Sequence, residues 1–371
     1  MRIPVILLTG FLGAGKTSLL SRLLRDPRFS DTAVIINEFG EVGLDHLLVE
    51  HLPDEPVVEM TSGCLCCTVR GDVRRALLML HHRSEAGELP LFSRLIIETT
   101  GLADPAPVVH TLLADPRVAA RFALAGVVTI VDAVNGQATL AAHREAARQV
   151  AIADRLLITK TDLDAGRDAL PALCADLARR APGATIADTR APDFDLRQAV
   201  DGLTGFDAGT RPADVVAWLN AEAYAQNAHQ AAAHEHDHSH GHGHDHAHHH
   251  DHAHDVNRHS DDIRAFCLTL DQPLDPAAFA FALELLAAHQ GPDLLRVKGL
   301  VAITDYPDHP VVIHMVQHLI EPPVRLDAWP GADRRSRLVF ITRNIDPARL
   351  AAFFADWTGA GADAELISRL T

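Results

Sequence analysis

The sequence of 371 residues is poor in sulfur and in aromatic side chains. Its five cysteines are too few for a disulfide scaffold, and the clustering of three of them favours metal or redox chemistry. No uninterrupted apolar run reaches the roughly 18 residues that a membrane-spanning helix needs. We therefore expect neither a disulfide-stabilised fold nor a protein that works in a membrane.

Basic side chains are outnumbered by acidic ones, which gives a formal net charge of −16 at pH 7. Binding to nucleic acid requires clustered Lys and Arg, so this charge argues against a general nucleic-acid-binding protein. The charge is compatible with attraction of cations, although solubility alone also explains it. Because the N-terminal residues lead straight into a strand that ends in a functional loop, a cleavable signal is not expected and the expected location is the cytoplasm.

Short apolar runs rich in Val, Ile and Leu alternate with helical patterns in the first half of the chain. The runs cover residues 5–9, 33–37, 94–98, 126–132 and 155–159. The helical patterns between them include residues 18–25, 73–82 and 140–151. This alternation predicts an α/β domain with a mostly parallel sheet covered on both faces. Ligands of such sheets bind at the carboxyl ends of the strands.

The composition changes abruptly after a short helical pattern over residues 212–224. Twelve of the 24 histidines lie between residues 234 and 254, among Asp, Ala and Gly, and such a segment cannot build a core. The sequence therefore predicts a P-loop domain over 1–224, a disordered linker over 225–262 and a smaller α+β domain over 263–371. In the last domain we predict strands over 264–271, 294–304, 310–320 and 336–343, and helices over 276–289 and 347–357.

Residues 10–17, Gly-Phe-Leu-Gly-Ala-Gly-Lys-Thr, fit the phosphate-binding P-loop pattern. The segment follows a predicted strand and opens a predicted helix, as the motif requires. Glycines allow backbone N–H groups to surround phosphate oxygens, Lys16 neutralises the β- and γ-phosphates, and the Thr17 hydroxyl coordinates Mg²⁺. The phosphate-binding residues predicted here are Gly13, Ala14, Gly15, Lys16, Thr17 and Ser18.

A carboxylate for the same site is expected from Glu98, which ends an apolar strand and begins the sequence Glu-Thr-Thr-Gly. Glu98 would hold Mg²⁺ through water or polarise the attacking water, so we predict Lys16 and Glu98 as the catalytic residues. Gly101 is expected where a loop senses the γ-phosphate.

Residues 156–162 resemble the guanine-specificity loop of GTPases, usually written Asn-Lys-x-Asp, with Thr159 in place of the Asn. The Asp162 carboxylate can accept two hydrogen bonds from guanine, whereas adenine offers no such pair of donors and would leave the carboxylate unpaired. The stem of Lys160 would pack on the base. We therefore expect GTP and GDP rather than adenine nucleotides, bound by Thr159, Lys160 and Asp162.

Three cysteines, Cys64, Cys66 and Cys67, lie within four residues. Thiolates are soft ligands that suit Zn²⁺ and also hold Co²⁺ or Ni²⁺. Three of them can occupy three tetrahedral positions and leave the fourth to a carboxylate, water or an acceptor protein, which indicates a site built to release its ion. A buried apolar cluster and a strained disulfide are the alternatives, and the reducing cytosol disfavours the disulfide.

Other residues with metal-binding side chains are less specific. The His-rich segment suits several transition metals as a buffer, and a solvated spacer is the alternative. His314 and His318 alternate within a predicted strand and could share a sheet face, but ordinary half-buried residues explain the pair, and we do not predict them as ligands. Cys174 and Cys267 are isolated and are interpreted as core residues.

These motifs together resemble the CobW-type GTPases, a family of metal chaperones that includes zinc-regulated metalloprotein activators. The resemblance covers nearly the whole chain, and a His-rich insertion between the domains is also typical. The matching segments are residues 10–17, 37–43, 63–67, 98–105 and 159–162 in the first half, and 298–299, 314–318, 329–330 and 337–340 in the second.

The resemblance implies that residues 37–43 and 101–105 are two switch segments. It also implies that Glu41 is a fourth ligand of the thiolate-bound metal or a nucleotide sensor, and the alternative is a solvated carboxylate. The expected metal is zinc, with cobalt as the alternative, and the expected partner is a client metalloprotein or a metal-cofactor assembly protein. The sequence leaves the physiological metal and the oligomeric state open, a homo-oligomer included.

The resulting hypothesis is a GTP-hydrolysing metallochaperone in which the nucleotide orders the switch segments that flank the cysteines. We expect slow intrinsic turnover, because no arginine finger is evident. A metal storage or buffer protein with a structural nucleotide site is one alternative. A P-loop kinase for a small molecule is another, and the Asp162 loop argues against it.

Overall fold

The first half of the chain is an α/β domain. The computed structural model describes residues 2–37, 57–59, 68–203, 263–359 and 362–369. Within these ranges the first sheet has seven strands in the order β3-β2-β4-β1-β5-β6-β7, and every pairing is parallel. Its strands are β1 Ile3–Gly10, β2 Thr32–Asn37, β3 Val57–Glu59, β4 Arg94–Thr99, β5 Phe122–Asp132, β6 Arg155–Thr159 and β7 Thr185–Asp188. Its helices are α1 Lys16–Leu24, α2 Thr68–Glu85, α3 Ala106–Ala114, α4 Pro116–Ala119, α5 Gly136–Ala142, α6 Arg144–Ala151, α7 Asp164–Arg180 and α8 Arg197–Val200.

The apolar runs explain the central strands. In β1 every residue from Val5 to Gly10 is buried, and β4 and β5 flank it on either side, as expected for a parallel sheet covered on both faces. All five strands predicted from apolar runs are confirmed. The edge strand β7 was not predicted, because its Thr-Ile-Ala-Asp sequence carries no apolar run. In the structure these residues are exposed or half-buried, as an edge strand allows.

The prediction of one helix over residues 140–151 is wrong. The chain forms α5 and α6 instead, and His143 between them has an extended backbone with φ −126° and ψ 117°. The His143 ring stacks on Phe11 at 4.5 Å between ring centroids. This contact with the P-loop is tertiary, so the helical pattern of the sequence gives no sign of the break.

The second domain is α+β, as predicted, and its sheet is antiparallel. Its strand order is β11-β10-β9-β13-β8-β14, and β12 pairs with β10. Asp275 and Asp346 cap the two helices by accepting hydrogen bonds from the N–H groups of Ala278 and Ala348. The elements are β8 Ile263–Leu270, α9 Pro276–Gln290, β9 Leu294–Val301, β10 Val311–Val316, β11 Leu319–Ile320, β12 Val324–Arg325, β13 Ser336–Arg343, α10 Pro347–Thr358 and β14 Ala362–Arg369.

The predicted strand over residues 310–320 is interrupted by a tight turn. Gln317 has φ 54°, and β10 and β11 pair as an antiparallel hairpin on either side of it. His318 therefore lies in the turn and does not share a strand face with His314. His314 is buried beside Arg296, and its Nδ1 lies 3.1 Å from Glu321 Oε2.

The two domains share a contiguous apolar core. One cluster of buried side chains includes Val5 and Leu112 of the first domain and Phe266 and Phe340 of the second. The helix α3 packs against β10 and β11. A shared apolar core opposes independent motion of two domains, so the second domain has a defined position against the first. In the described ranges no helix has both the length and the apolar character needed to cross a membrane.

Candidate functional site

The P-loop is closed by glycines in conformations that other residues rarely adopt. Gly13 has φ 71° and Gly15 has φ 101°, both in the left-handed region. At Gly10 a Cβ would lie 2.4 Å from the carbonyl oxygen of Ile130 in the adjacent strand. The loop can therefore fold back tightly after β1.

The helix α1 begins at Lys16, directly after the loop. Its N-cap residue is Gly15, which has no side chain to cap the first N–H groups, so these groups are suited to an anion. Lys16 is buried, and its Nζ donates to the carbonyl oxygens of Gly10 at 2.8 Å and Phe11 at 3.2 Å. These contacts hold the ammonium group inside the loop, within reach of a phosphate placed there.

Thr17 and Glu98 meet at the carboxyl ends of neighbouring strands. The Thr17 hydroxyl donates a hydrogen bond to Glu98 Oε1 at 3.1 Å, and the Glu98 side chain is buried at the end of β4. Both lie in a cavity of about 310 Å³ that Gly13, Gly15, Lys16, Ser18 and Gly101 also line. A hydroxyl and a carboxylate oxygen beside a phosphate cradle are hard ligands that fit Mg²⁺.

Gly101 approaches the P-loop closely. A Cβ at this position would lie 2.5 Å from the backbone nitrogen of Leu12. The carbonyl oxygens of Gly101 and Ala103 each accept a hydrogen bond from Gln149 Nε2 at 3.1 Å. Sequence reasoning missed Gln149, because a single glutamine in a short helix carries no signal of its own.

Two of the three predicted guanine-loop residues contact the rest of the site. Thr159 Oγ1 donates to the carbonyl oxygen of Ala14 at 2.7 Å, so Thr159 supports the P-loop. Lys160 has φ 61°, and its Nζ lies 2.6 Å from Asp132 Oδ2. Lys160 and Ala14 line a second cavity of about 470 Å³ next to the P-loop.

Asp132 was missed by sequence reasoning, although it ends an apolar strand as Glu98 does. Burial raises the pKa of its carboxyl group, but hydrogen bonds from Lys160 and Asn135 outweigh this effect, and the pKa lies below its ordinary value. The predicted base-reading residue, Asp162, lies at the surface: its side chain is 52% exposed and 3.4 Å from Arg190 Nε. Asp162 is therefore accessible to a ligand that enters from solvent.

The predicted thiolate site, Cys64, Cys66, Cys67 and Glu41, lies outside the described residues, as do the His-rich segment and the predicted helix 212–224. Among the residues that the structure does describe, no group of three or more His, Cys, Asp or Glu side chains is arranged to hold a metal ion. Cys267 is buried, as expected of a core residue, whereas Cys174 is only half-buried.

Comparison with known families matches both halves of the chain. Residues 4–188 match the CobW/HypB/UreG nucleotide-binding domain. Residues 263–358 match the cobalamin synthesis protein CobW C-terminal domain. The two matched segments correspond to the two sheets described above.

Two curated relatives extend over almost the whole chain, and a third matches part of it. The zinc chaperone YjiA of Escherichia coli is 31% identical over 353 residues, which cover 95% of this chain and 98% of YjiA. The zinc chaperone CobW of Pseudomonas aeruginosa is 31% identical, with 94% and 90% covered. The zinc-regulated GTPase metalloprotein activator 1 of Schizosaccharomyces pombe is 36% identical over 167 residues, 43% of this chain and 39% of that protein.

A solved structure supports the same relationship. The crystal structure of Zn(II)-bound YjiA GTPase from E. coli superposes with a TM-score of 0.64 at 26% sequence identity and covers 96% of this chain and 99% of that one. With its P-loop, its Thr17–Glu98 contact and its second antiparallel domain, the chain belongs to the CobW family of P-loop GTPases.

Proposed function

We propose that this protein is a GTP-hydrolysing metallochaperone that couples the nucleotide cycle to the binding and delivery of a transition metal. Zinc is the first candidate and cobalt the second, and the recipient is a client metalloprotein or a metal-cofactor assembly protein. The observation that carries the proposal is the 3.1 Å contact between Thr17 and Glu98 inside a P-loop cavity walled by Gly101. Two relatives that match nearly the whole chain are named zinc chaperones, and this supports zinc as the metal.

In this proposal, different described residues bind the phosphates, hold the metal ion and orient the attacking water. The N–H groups of residues 13–18 bind the phosphate oxygens, and Lys16 exchanges its contacts with Gly10 and Phe11 for the β- and γ-phosphates. Thr17 and Glu98 hold Mg²⁺, which neutralises developing negative charge on the phosphates when bound. Glu98 also orients the attacking water, and the backbone at Gly101 contacts the γ-phosphate.

Guanine is proposed as the base because of Asp162. Its exposed carboxylate can turn from Arg190 to accept the N1–H and amine hydrogens of guanine. Lys160 lines the 470 Å³ cavity next to the P-loop, and in this proposal its stem packs on the base. Thr159 contributes by holding the P-loop at Ala14.

Turnover is proposed to be slow. Of the described residues that line the 310 Å³ cavity, none is an arginine, and Lys16 is the one cation among them. GTPases without an arginine finger hydrolyse at roughly 10⁻³ s⁻¹ or below. A client or a metal that completes the site could therefore control the cycle.

The metal is the cargo of the proposed cycle and would bind Cys64, Cys66 and Cys67, with Glu41 as a fourth ligand. In the chain, residues 60–67 connect β3 to α2, and β3 ends two strands away from Glu98 in the sheet order β3-β2-β4. The cysteines thus follow a strand end at the same carboxyl edge as the nucleotide site, which supports coupling. Linkage requires that the metal alters GTP affinity by the factor by which GTP alters metal affinity.

The decisive experiment titrates Zn²⁺ and Co²⁺ into protein lacking residues 229–259, with GDP and with a non-hydrolysable GTP analogue. Removal of the His-rich segment leaves the thiolates as the expected ligands. We expect metal affinity to differ between the two nucleotide states by about 5-fold or more, the lower end of typical allosteric coupling. Equal affinities would refute the coupling.

Two variants complete the test. A Cys64→Ser/Cys66→Ser/Cys67→Ser variant of the same shortened protein should lose transition-metal binding while it still binds GTP. Unchanged metal binding would refute the thiolate site. Lys16→Ala should abolish nucleotide-dependent metal release, whereas protection against excess metal that persists in this variant would favour a buffer.

A further inference from the structure

The loop that follows Glu98 is held by two consecutive residues in the last turn of α6. Gln149 Nε2 donates to the carbonyl oxygens of Gly101 and Ala103, both at 3.1 Å. Arg148 Nη1 lies 3.7 Å from Asp104 Oδ2, on the same loop. The position of this helix end therefore sets the position of residues 101–104.

Gln149 is fixed on both its backbone and its side chain. The residue is buried, with 1% of its surface exposed, and its backbone carbonyl oxygen accepts a hydrogen bond of 2.7 Å from the Thr129 hydroxyl. Because both of its partners on the 101–104 loop are carbonyl acceptors, only the NH₂ group can face them, so the orientation of the amide is determined. A side chain without donors at this position cannot make these contacts.

The same helix end is held from the other side by the second domain. Three residues beyond Gln149, the carbonyl oxygen of Ile152 accepts a hydrogen bond of 2.6 Å from Arg296 Nη1. Asp154 follows and pairs with Arg296 at 2.9 Å and with Lys298 Nζ at 2.8 Å. Both cations lie on β9 of the second domain, and all three side chains are buried.

Within the described residues, Arg296 and Lys298 both pair with Asp154. Burial raises the pKa of Asp154, but Arg296 and Lys298 outweigh it and hold that pKa well below its usual range. Burial, together with repulsion from Arg296, lowers the pKa of Lys298 to about 8. His314 accepts a hydrogen bond from Arg296 Nε at Nε2 and faces Glu321 with Nδ1.

We infer that Gln149 is a positioning residue for the γ-phosphate-sensing loop, and that Arg296 transmits the position of the second domain to it through Ile152 and Asp154. The inference rests on the proposed GTPase function, because the 101–104 loop has this role only there. A partner that shifts β9 moves the end of α6, and the amide of Gln149 moves the loop with it. By reciprocity, the γ-phosphate biases the position of β9.

The first arm of the test compares Gln149→Met with wild-type protein for the affinity of GDP and of a non-hydrolysable GTP analogue. Methionine keeps the size of the side chain but cannot donate to Gly101 and Ala103. We expect analogue affinity to fall about 10-fold, as the loss of two modest hydrogen bonds predicts, while GDP affinity changes less than about 2-fold. The matched control is Gln137→Met, since Gln137 lies exposed on the neighbouring helix α5.

The second arm asks whether the second domain acts through Gln149. Arg296→Met should lower the ratio of analogue to GDP affinity about 3-fold or more, because one of the hydrogen bonds that hold the helix end is lost. In the double variant Arg296→Met/Gln149→Met, the ratio of analogue to GDP affinity should equal that of Gln149→Met alone. The Gln149→Met change already removes the contacts through which Arg296 acts on the loop. Arg343→Met is the control, because Arg343 pairs with Asp293 inside the second domain.

Several outcomes would overturn the inference. Equal losses of GDP and analogue affinity in Gln149→Met would show a structural role only, and multiplicative effects of the two changes would show that Arg296 acts independently. If Gln149→Met does not fold, Arg148→Met at the half-exposed neighbour must still lower the ratio, and an unchanged ratio refutes the inference. Wild-type protein that neither binds nor hydrolyses GTP would instead refute the proposed function itself.

Discussion

Replacement of Asp154 by Asn should be among the most destabilising single polar changes between the two domains. The substitution is nearly isosteric, so packing is retained and the change removes one negative charge. Arg296 and Lys298, whose side chains are 3% and 4% exposed, then lose the carboxylate that pairs with both of them.

The magnitude follows from burial. Breaking a buried ion pair by removing one partner typically costs about 3–5 kcal/mol, because the other charge stays desolvated without compensation. The hydrogen bond from the Val127 N–H to Asp154 Oδ2 is 2.9 Å long and can be kept by an amide oxygen, so it adds little to the loss. We therefore expect the free energy of unfolding to fall by about 3–5 kcal/mol.

The assay is urea denaturation near pH 7, followed by circular dichroism. The matched control is Asp293→Asn, since Asp293 pairs with Arg343 but has a side chain that is 33% exposed. Solvent screens that pair, so its loss should cost no more than about 1 kcal/mol. A triple replacement of Asp154, Arg296 and Lys298 by apolar residues should recover most of the stability lost in Asp154→Asn.

The reasoning fails if Asp154→Asn costs no more than the control. Such a result would mean that water reaches the cluster or that the two domains separate without loss of their own folds. Either finding would also remove the basis for a signal that crosses the interface at Ile152.

Three further predictions concern individual residues. Because the pKa of Lys298 is lowered to about 8 from an ordinary 10.5, the unfolded chain binds more protons between these values, so the free energy of unfolding should rise with pH there. The rise should reach at most about 3 kcal/mol and be missing in Lys298→Met, as urea denaturation near pH 7.5 and 10 would show. Gly101→Ala places a Cβ 2.5 Å from the Leu12 nitrogen, so GTP hydrolysis should fall by about 10-fold or more with a smaller loss of GDP affinity, and unchanged single-turnover kinetics would contradict it. Asp162→Asn should weaken GTP at least about 10-fold and leave ATP affinity unchanged in competition binding, whereas equal losses would argue against base reading.

Much of the first domain could be predicted because its signals are local. The Val- and Ile-rich runs gave the five central strands, since a strand buried on both faces must be continuously apolar. Gly10, Gly13 and Gly15 marked the loop because few other residues tolerate its backbone angles. Thr17 and Glu98 followed from the rule that ligands meet at the carboxyl ends of parallel strands, and the structure brings them to 3.1 Å.

Errors arose where long-range contacts override local pattern. At the helix break, the His143 ring stacks on Phe11, which is more than a hundred residues away in the chain. The turn at Gln317 splits a run that reads as one strand, and it separates His314 from His318. In each case the residues concerned are compatible with the predicted element, so the local pattern does not reveal the break.

The amino-acid sequence by itself determined the phosphate loop, the parallel sheet that carries it and the family, because each depends on the spacing of neighbouring residues. The tertiary structure alone decided that Gln149 holds the loop at Gly101 and that Asp154 receives two cations from β9. Those residues are about 50 to 140 positions apart, and a buried glutamine or aspartate reveals its partner only when the folded chain removes both from water.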